Sequence, residues 1–229
     1  MNRKKLLQVI FLTAVIGIVI FFSGCFSMPK DYPDFGQSRP RSILVMPPLN
    51  NSVDVSASAV FLAASTRPLA ESGYYVIPVT LSHEMFRQNG IYTAADANAI
   101  SSARLYEIFG ADCALYITIL RFGTVFQLVR SVVQAEASAK LVDLKTDQIL
   151  WSGYVFIEEN PSDSYTVDPS VGFLAQVLFI VGSAVIDQIA NNLSNASYDV
   201  GFRAAEALLD ARYQSGLPYG PYHPKYETN

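Results

Sequence analysis

The sequence is short of the side chains that do chemistry. His83 and His223 are its only histidines, and Cys25 and Cys113 its only cysteines. There is no HExxH pair and no second cysteine beside Cys113, so a zinc site has nothing to be built from. His83, on an amphipathic helix, and His223, in a proline-tyrosine tail, read as solvated surface side chains. A GxSxG turn and a glycine-rich phosphate loop are also missing, which leaves an activated serine or a nucleotide site without support. Glu158, Glu159, Asp163 and Asp168 carry enough charge for a divalent cation, but their spacing fits no EF-hand loop and a solvated acidic loop is the simpler reading. The expectation is of no catalytic residues, no metal, no cofactor and no enzyme.

Positive charge is scarce too. Lys and Arg number 16 against 20 Asp and Glu, and three of the basic residues, Arg3, Lys4 and Lys5, precede a long apolar run. Beyond residue 24 the balance is 13 to 20, a net charge of −7. Phosphate binding needs a basic face that such a chain lacks, so nucleic acid is not an expected partner.

What the sequence does have is a leader. After the three basic residues, positions 6–24 are interrupted only by Gln8, Thr13 and Ser23 as polar side chains, the pattern of a secretory signal. The run also approaches the ~20 residues that span a bilayer, so an uncleaved membrane anchor is the competing reading. Small side chains before a cysteine suit the peptidase that trims lipoprotein precursors. Phe22, Ser23, Gly24 and Cys25 resemble the bacterial lipobox, with Phe22 where leucine is usual. Cys25 is thus the candidate lipidation site, and residues 1–24 the candidate signal peptide. Phe26 in place of aspartate favours the outer membrane by the sorting convention of lipoproteins. With Cys25 acylated no internal disulfide is available, and Cys113, within ADCALYI at 111–117, reads as a buried free thiol.

Residues 25–41 hold three prolines and no apolar period after Met28, and read as a flexible tether. Residues 42–226 are long enough for a single domain with a real core. SILVM at 42–46, closed by two prolines, predicts a strand buried on both faces. A helix over 55–72 follows, then a strand at 74–77, a helix from Leu81 with Ser82 as cap and Leu81 against Phe86 as staple, a helix from Ser101 or Ser102 to Gly110, and a strand over 113–122. This alternation predicts parallel pairing. Val133, Ala135, Ala137, Ala139 and Leu141 then alternate with polar residues and, with 149–157, predict an antiparallel hairpin, Asp147 taking a left-handed turn position. The fold class expected is α/β, a mixed sheet of parallel strands from βαβ units plus an antiparallel hairpin, packed with helices.

Between 170 and 193 the one charge is Asp187, and the polar side chains fall on one narrow helical stripe. The apolar arc, carried by Leu174, Val177, Leu178, Val181, Val185 and Ile189, suits a core helix, a contact with a second copy, or a membrane span. A closing helix over 198–213, with Asp199 and Arg203 paired at i, i+4 and Glu206, Asp210 and Arg212 wet, leads to LPYGPYHPKY at 217–226, an extended strap or a disordered end.

Four motifs carry a family resemblance: ILVMPPLNNS at 43–52, GYYVIP at 73–78, LVDLKTDQILWS at 141–152 and the tail at 217–226. Together they resemble a bacterial lipoprotein family that includes a genome-derived neisserial vaccine antigen. More distantly, the first three resemble the amino-terminal domain of TolB and the periplasmic domain of the curli secretion lipoprotein CsgG. The resemblance implies a TolB N-terminal-like α/β sandwich that docks other envelope proteins, often as a dimer, with no catalytic residues to transfer. The functional expectation is an outer-membrane lipoprotein, periplasmic-facing and held through acylated Cys25. It would be a homodimeric accessory subunit of an envelope assembly or secretion complex, with a CsgG-like lipoprotein as candidate partner. A carrier of a small apolar ligand or lipid, and a surface-exposed adhesin, are the alternatives.

Overall fold

The computed structural model describes residues 32–126, 131–159, 183–213 and 215–226, with the side chains of Pro33, Phe126, Ser131 and 183–195 outside the description. The chain divides into two units, 1–31 and 32–229, and every element below belongs to the second. In order these are α1 (Pro33–Ser38), β1 (Ser42–Val45), β2 (Leu49–Asn50), α2 (Ala57–Glu71), β3 (Tyr75–Val76), α3 (Val79–Gln88), α4 (Ala94–Asn98), α5 (Ser102–Phe109), β4 (Cys113–Phe126), β5 (Ser131–Asp143), β6 (Ile149–Glu159) and α6 (Ser183–Leu209).

The strands form one mixed sheet in the order β3-β1-β4-β5-β6, with β2 also beside β4. β1 runs parallel to β3 and β4, β2 parallel to β4, and β4, β5 and β6 run antiparallel to one another. This is the mixed α/β sheet that the sequence predicts. The continuous apolar run of β1 is explained by helices on both of its faces. Ile43 and Val45 join the core under α2 and α6, while Leu44 and Met46 join Phe86, Ala97 and Leu105 of α3, α4 and α5. Helix α6 lies close because residue 201 has no side chain: a Cβ there would sit 2.7 Å from both Phe122 and Val60. The β5–β6 turn is closed by Asp143, whose Oδ1 accepts the N–H groups of Lys145 and Thr146, and by Asp147 at φ 61°. Aspartate tolerates that left-handed position better than most residues.

The structure departs from expectation in several places. The stretch read as tether is built into the domain from Tyr32 onward. Pro33 sits in the first turn of α1, where its missing N–H costs nothing. Phe35 is buried edge-on to Tyr74, the ring centroids 6.5 Å apart, and the Ser38 hydroxyl donates to Asp143. One anchoring aromatic among prolines leaves no period to read. Helix α3 starts directly after Pro78, so Ser82 bonds back to the Val79 carbonyl instead of capping, and Leu81 is exposed. Helix α4, capped by Thr93 on the Asp96 N–H, is too short to show a period. Helix α6 runs unbroken from Ser183 to Leu209, where two helices were expected, and stops before Asp210, which is buried. Arg203 pairs with Glu159 at the end of β6 and not with Asp199.

The tail is an ordered strap. Its Gly220 N–H donates to the Ser72 carbonyl and its Tyr222 N–H to the Gly73 carbonyl, while Leu217 is buried and the Trp151 indole donates to Gly216. Backbone and Leu217, more than the tyrosine rings, hold it in place.

Candidate docking surface

Several residues singled out in the sequence lie outside the described residues: Phe22, Ser23, Gly24 and Cys25, and, of the candidate interface, Leu174, Val177, Leu178 and Val181. Val185 and Ile189 stand on α6, their side chains outside the description. Among the described residues no helix is long and apolar enough to cross a membrane.

The chemically capable side chains are dispersed. His83 is exposed on α3, whereas His223 stacks on Tyr219 with centroids 4.2 Å apart, its Nδ1 accepting the Lys225 N–H. Cys113 is buried at the start of β4, and burial, reinforced by the carboxylates of Asp143 and Asp112, pushes its thiol far up. A thiol held neutral is a poor nucleophile. Of the acidic loop, Glu159 is engaged by Arg203, and Asp163 and Asp168 lie outside the described residues. Among the described residues no group of three or more His, Cys, Asp or Glu is placed to hold a metal.

What the fold does present is an open sheet face. On the side of β4, β5 and β6 away from α2 and α6, the register sets Tyr116 beside Lys140 and Ser152, Thr118 beside Ser138 and Tyr154, and Arg121 beside Glu136 and Phe156. An irregularity between Ile119 and Arg121 adds Leu120 to this face, because a bulge turns two successive residues the same way. Tyr154 is 54% exposed and Phe156 46%. Between them Glu136 is drawn in to 13% exposure, accepting the Tyr154 hydroxyl at 2.7 Å and lying 3.1 Å from the Arg121 Nε. The hydrogen bond to Glu136 raises the Tyr154 hydroxyl above its ordinary pKa. Lys140 stands over the Tyr116 ring, 5.3 Å from its centroid. The result is an aromatic strip on which Glu136 and Arg121 are already paired, a pair that sheds less hydration on contact than bare charges would.

A second exposed feature is the loop after β2. Val53 is 99% exposed and Val55 92%. The loop holds its own shape: Ser52 donates its N–H and hydroxyl to Asn50 Oδ1 at 2.9 and 2.6 Å, and Ser56 donates the same pair to Asp54 Oδ1 at 2.9 and 2.7 Å. The Asn51 N–H donates to Ile119, tying the loop to β4. Sequence reasoning passed over both features. The signal for the first was parity: in the strand 149–159, Tyr154 and Phe156 alternate with Val155 and Ile157, so one set had to face away from the core.

Comparison with known proteins is consistent across sequence and structure. A family model described as "Putative lipoprotein GNA1162-like" matches residues 30–222. The chain is 42% identical over 191 residues to "Putative lipoprotein NMB1124/NMB1162" of Neisseria meningitidis serogroup B (strain ATCC BAA-335 / MC58), covering 83% of this chain and 85% of that one. The crystal structure of lipoprotein GNA1162 from Neisseria meningitidis is similar at 43% identity and a TM-score of 0.51, over 66% of this chain and 99% of that one.

Proposed function

The chain belongs to the GNA1162-like lipoprotein family, and we propose that it is an acylated, non-catalytic accessory subunit of an outer-membrane assembly, facing the periplasm. The observation that carries this reading is Cys25 directly after Ser23 and Gly24, at the end of an apolar leader, in a chain whose family is named for lipid attachment. Cleavage before Cys25 removes 1–24, and Phe26 in the next position favours the outer membrane. Several acyl chains on one residue, at ~0.8 kcal/mol per buried methylene, make the attachment stable where a single short chain is marginal.

The rest of the reading concerns contact. The open face with Tyr154 and Phe156 suits other envelope proteins, since aromatic side chains on a rigid sheet contribute contact area at small entropic cost. Leu174, Val177, Leu178, Val181, Val185 and Ile189 remain the proposed contact with a second copy, and a CsgG-like lipoprotein remains a candidate neighbour.

The deciding experiment is metabolic labelling of cells with an alkyne fatty acid, followed by mass spectrometry of the mature amino terminus. The wild-type chain should begin at Cys25, carry the label and fractionate with the outer membrane; Cys25→Ser should lose the label and keep its leader. A wild-type chain recovered with residues 1–24 attached and an unmodified thiol would overturn the proposal.

A further inference from the structure

The two ends of the domain meet on one tyrosine. Helix α1, the first described element after the amino-terminal unit, reaches the rest of the fold through the Ser38 hydroxyl on Asp143 and through Phe35, whose ring stands edge-on to Tyr74 at 6.5 Å and 79°. The hydroxyl of the same Tyr74 donates to the Pro218 carbonyl of the strap at 2.5 Å. Tyr74 is itself buried, so its ring leans on one terminal segment while its oxygen holds the other.

The strap is fastened unevenly along its length. Its beginning is bolted down by buried Leu217 and by the Trp151 indole on Gly216. From Pro218 onward it rests on the end of α2 by backbone contacts: Gly220 to Ser72 at 2.8 Å and Tyr222 to Gly73 at 3.1 Å. No side chain fits between the two backbones. A Cβ on Gly73, which sits at φ 92°, would lie 2.5 Å from His223, and one on Gly220 would lie 2.4 Å from the Gly73 carbonyl oxygen. The position of residues 73 and 74 therefore decides whether the strap seats, and Phe35 packs directly on residue 74.

We propose that α1 and the strap are one coupled unit joined through Tyr74, so that displacing either loosens the other. With Phe35 withdrawn, one edge of the Tyr74 ring meets water, which then competes for the hydroxyl that holds Pro218. Coupling of this kind is reciprocal, so lifting the strap must also release α1. A pull on the chain before Tyr32 would thereby reach the surface formed by Tyr219, Tyr222 and His223.

Hydrogen exchange on the full chain in detergent tests the coupling, read in fragments covering 33–41 and 217–226, with β5 as reference. Phe35→Ala should speed exchange of the strap about fivefold, the scale of one net hydrogen bond, and leave β5 unchanged. Gly220→Ala should speed exchange of α1 through the Gly36 and Arg39 amides, which bond to Tyr32 and Phe35. Tyr74→Phe keeps the ring and removes the oxygen that joins it to Pro218, so it should loosen the strap and, by the same reciprocity, α1 with it; a loosened strap beside an α1 at its wild-type rate overturns the proposal. The proposal is overturned if Phe35→Ala leaves the strap at its wild-type rate, or if Gly220→Ala leaves α1 unchanged. It is equally overturned if Phe35→Ala accelerates β5 as much as the strap, which would mean general loosening. Where Phe35→Ala fails to fold, Tyr74→Phe and Gly220→Ala decide.

Discussion

At the scale of the residue, the side chains that matter most are those whose charge or proton is fixed by neighbours. Asp210, 2% exposed just after α6, accepts the Arg212 backbone N–H at 2.8 Å and two guanidinium nitrogens at 2.6 to 3.0 Å. Burial alone pushes its carboxyl up, but the Arg212 guanidinium and backbone N–H together hold it below the usual carboxylate range. A carboxyl lowered in the folded state adds stability above its unfolded value of about 3.9 and loses it as pH falls through the folded value. Asp210→Asn should therefore melt a few degrees below wild type at pH 7, and the two melting curves should converge as the pH falls below about 4. Equal melting temperatures at pH 7 would contradict this. Cys113 makes a second case: its raised, buried thiol should resist iodoacetamide at pH 8 in the native protein and react only when urea unfolds it. The burial of Cys113 could be read from the apolar strand around it, and the left-handed Asp147 from its turn. The pairing of Arg203 with Glu159 could not, because a partner 44 residues away outcompeted the one four residues away.

At the scale of the element, the period of two in β5 and the apolar run of β1 placed both strands, since side chains on a strand alternate and a doubly covered strand has no wet face. The elements that escaped notice, α1, β2 and α4, are six, two and five residues long. None spans enough turns or alternations to show a period, and each is held by tertiary contact. Helix α6 depends on one such contact, the missing side chain at 201. Gly201→Leu should push α6 away from Phe122 and Val60 and cost about 1–3 kcal/mol, measured as a lower urea midpoint. If the midpoint stays within error of wild type, the close approach is not what seats α6.

At the scale of the whole molecule, the alternation of strands and helices gave the parallel half of the sheet and the hairpin gave the β5–β6 pair, while the antiparallel pairing of β4 with β5 emerged only in the structure. The proposed contact with a second copy through 170–193 is an assembly question. Sedimentation of protein lacking Cys25 should show a dimer that dissociates when Leu178 and Val181 are replaced by aspartate. A strict monomer at high concentration would remove the main support for that surface. The candidate docking face was half legible. Parity required either Tyr154 and Phe156 or Val155 and Ile157 to face outward, but only the register of three strands shows Tyr154, Glu136 and Arg121 meeting on one face.

The sequence by itself determined the class of fold and the turn at Asp147, because each depends on residue types a few positions apart. The tertiary structure decided where the domain begins, that α6 is one helix, which charges pair, and that the tail is an ordered strap. Those outcomes depend on loop closure bringing together groups as distant as Tyr74 and Pro218, 144 residues apart, and no local pattern encodes which surfaces meet.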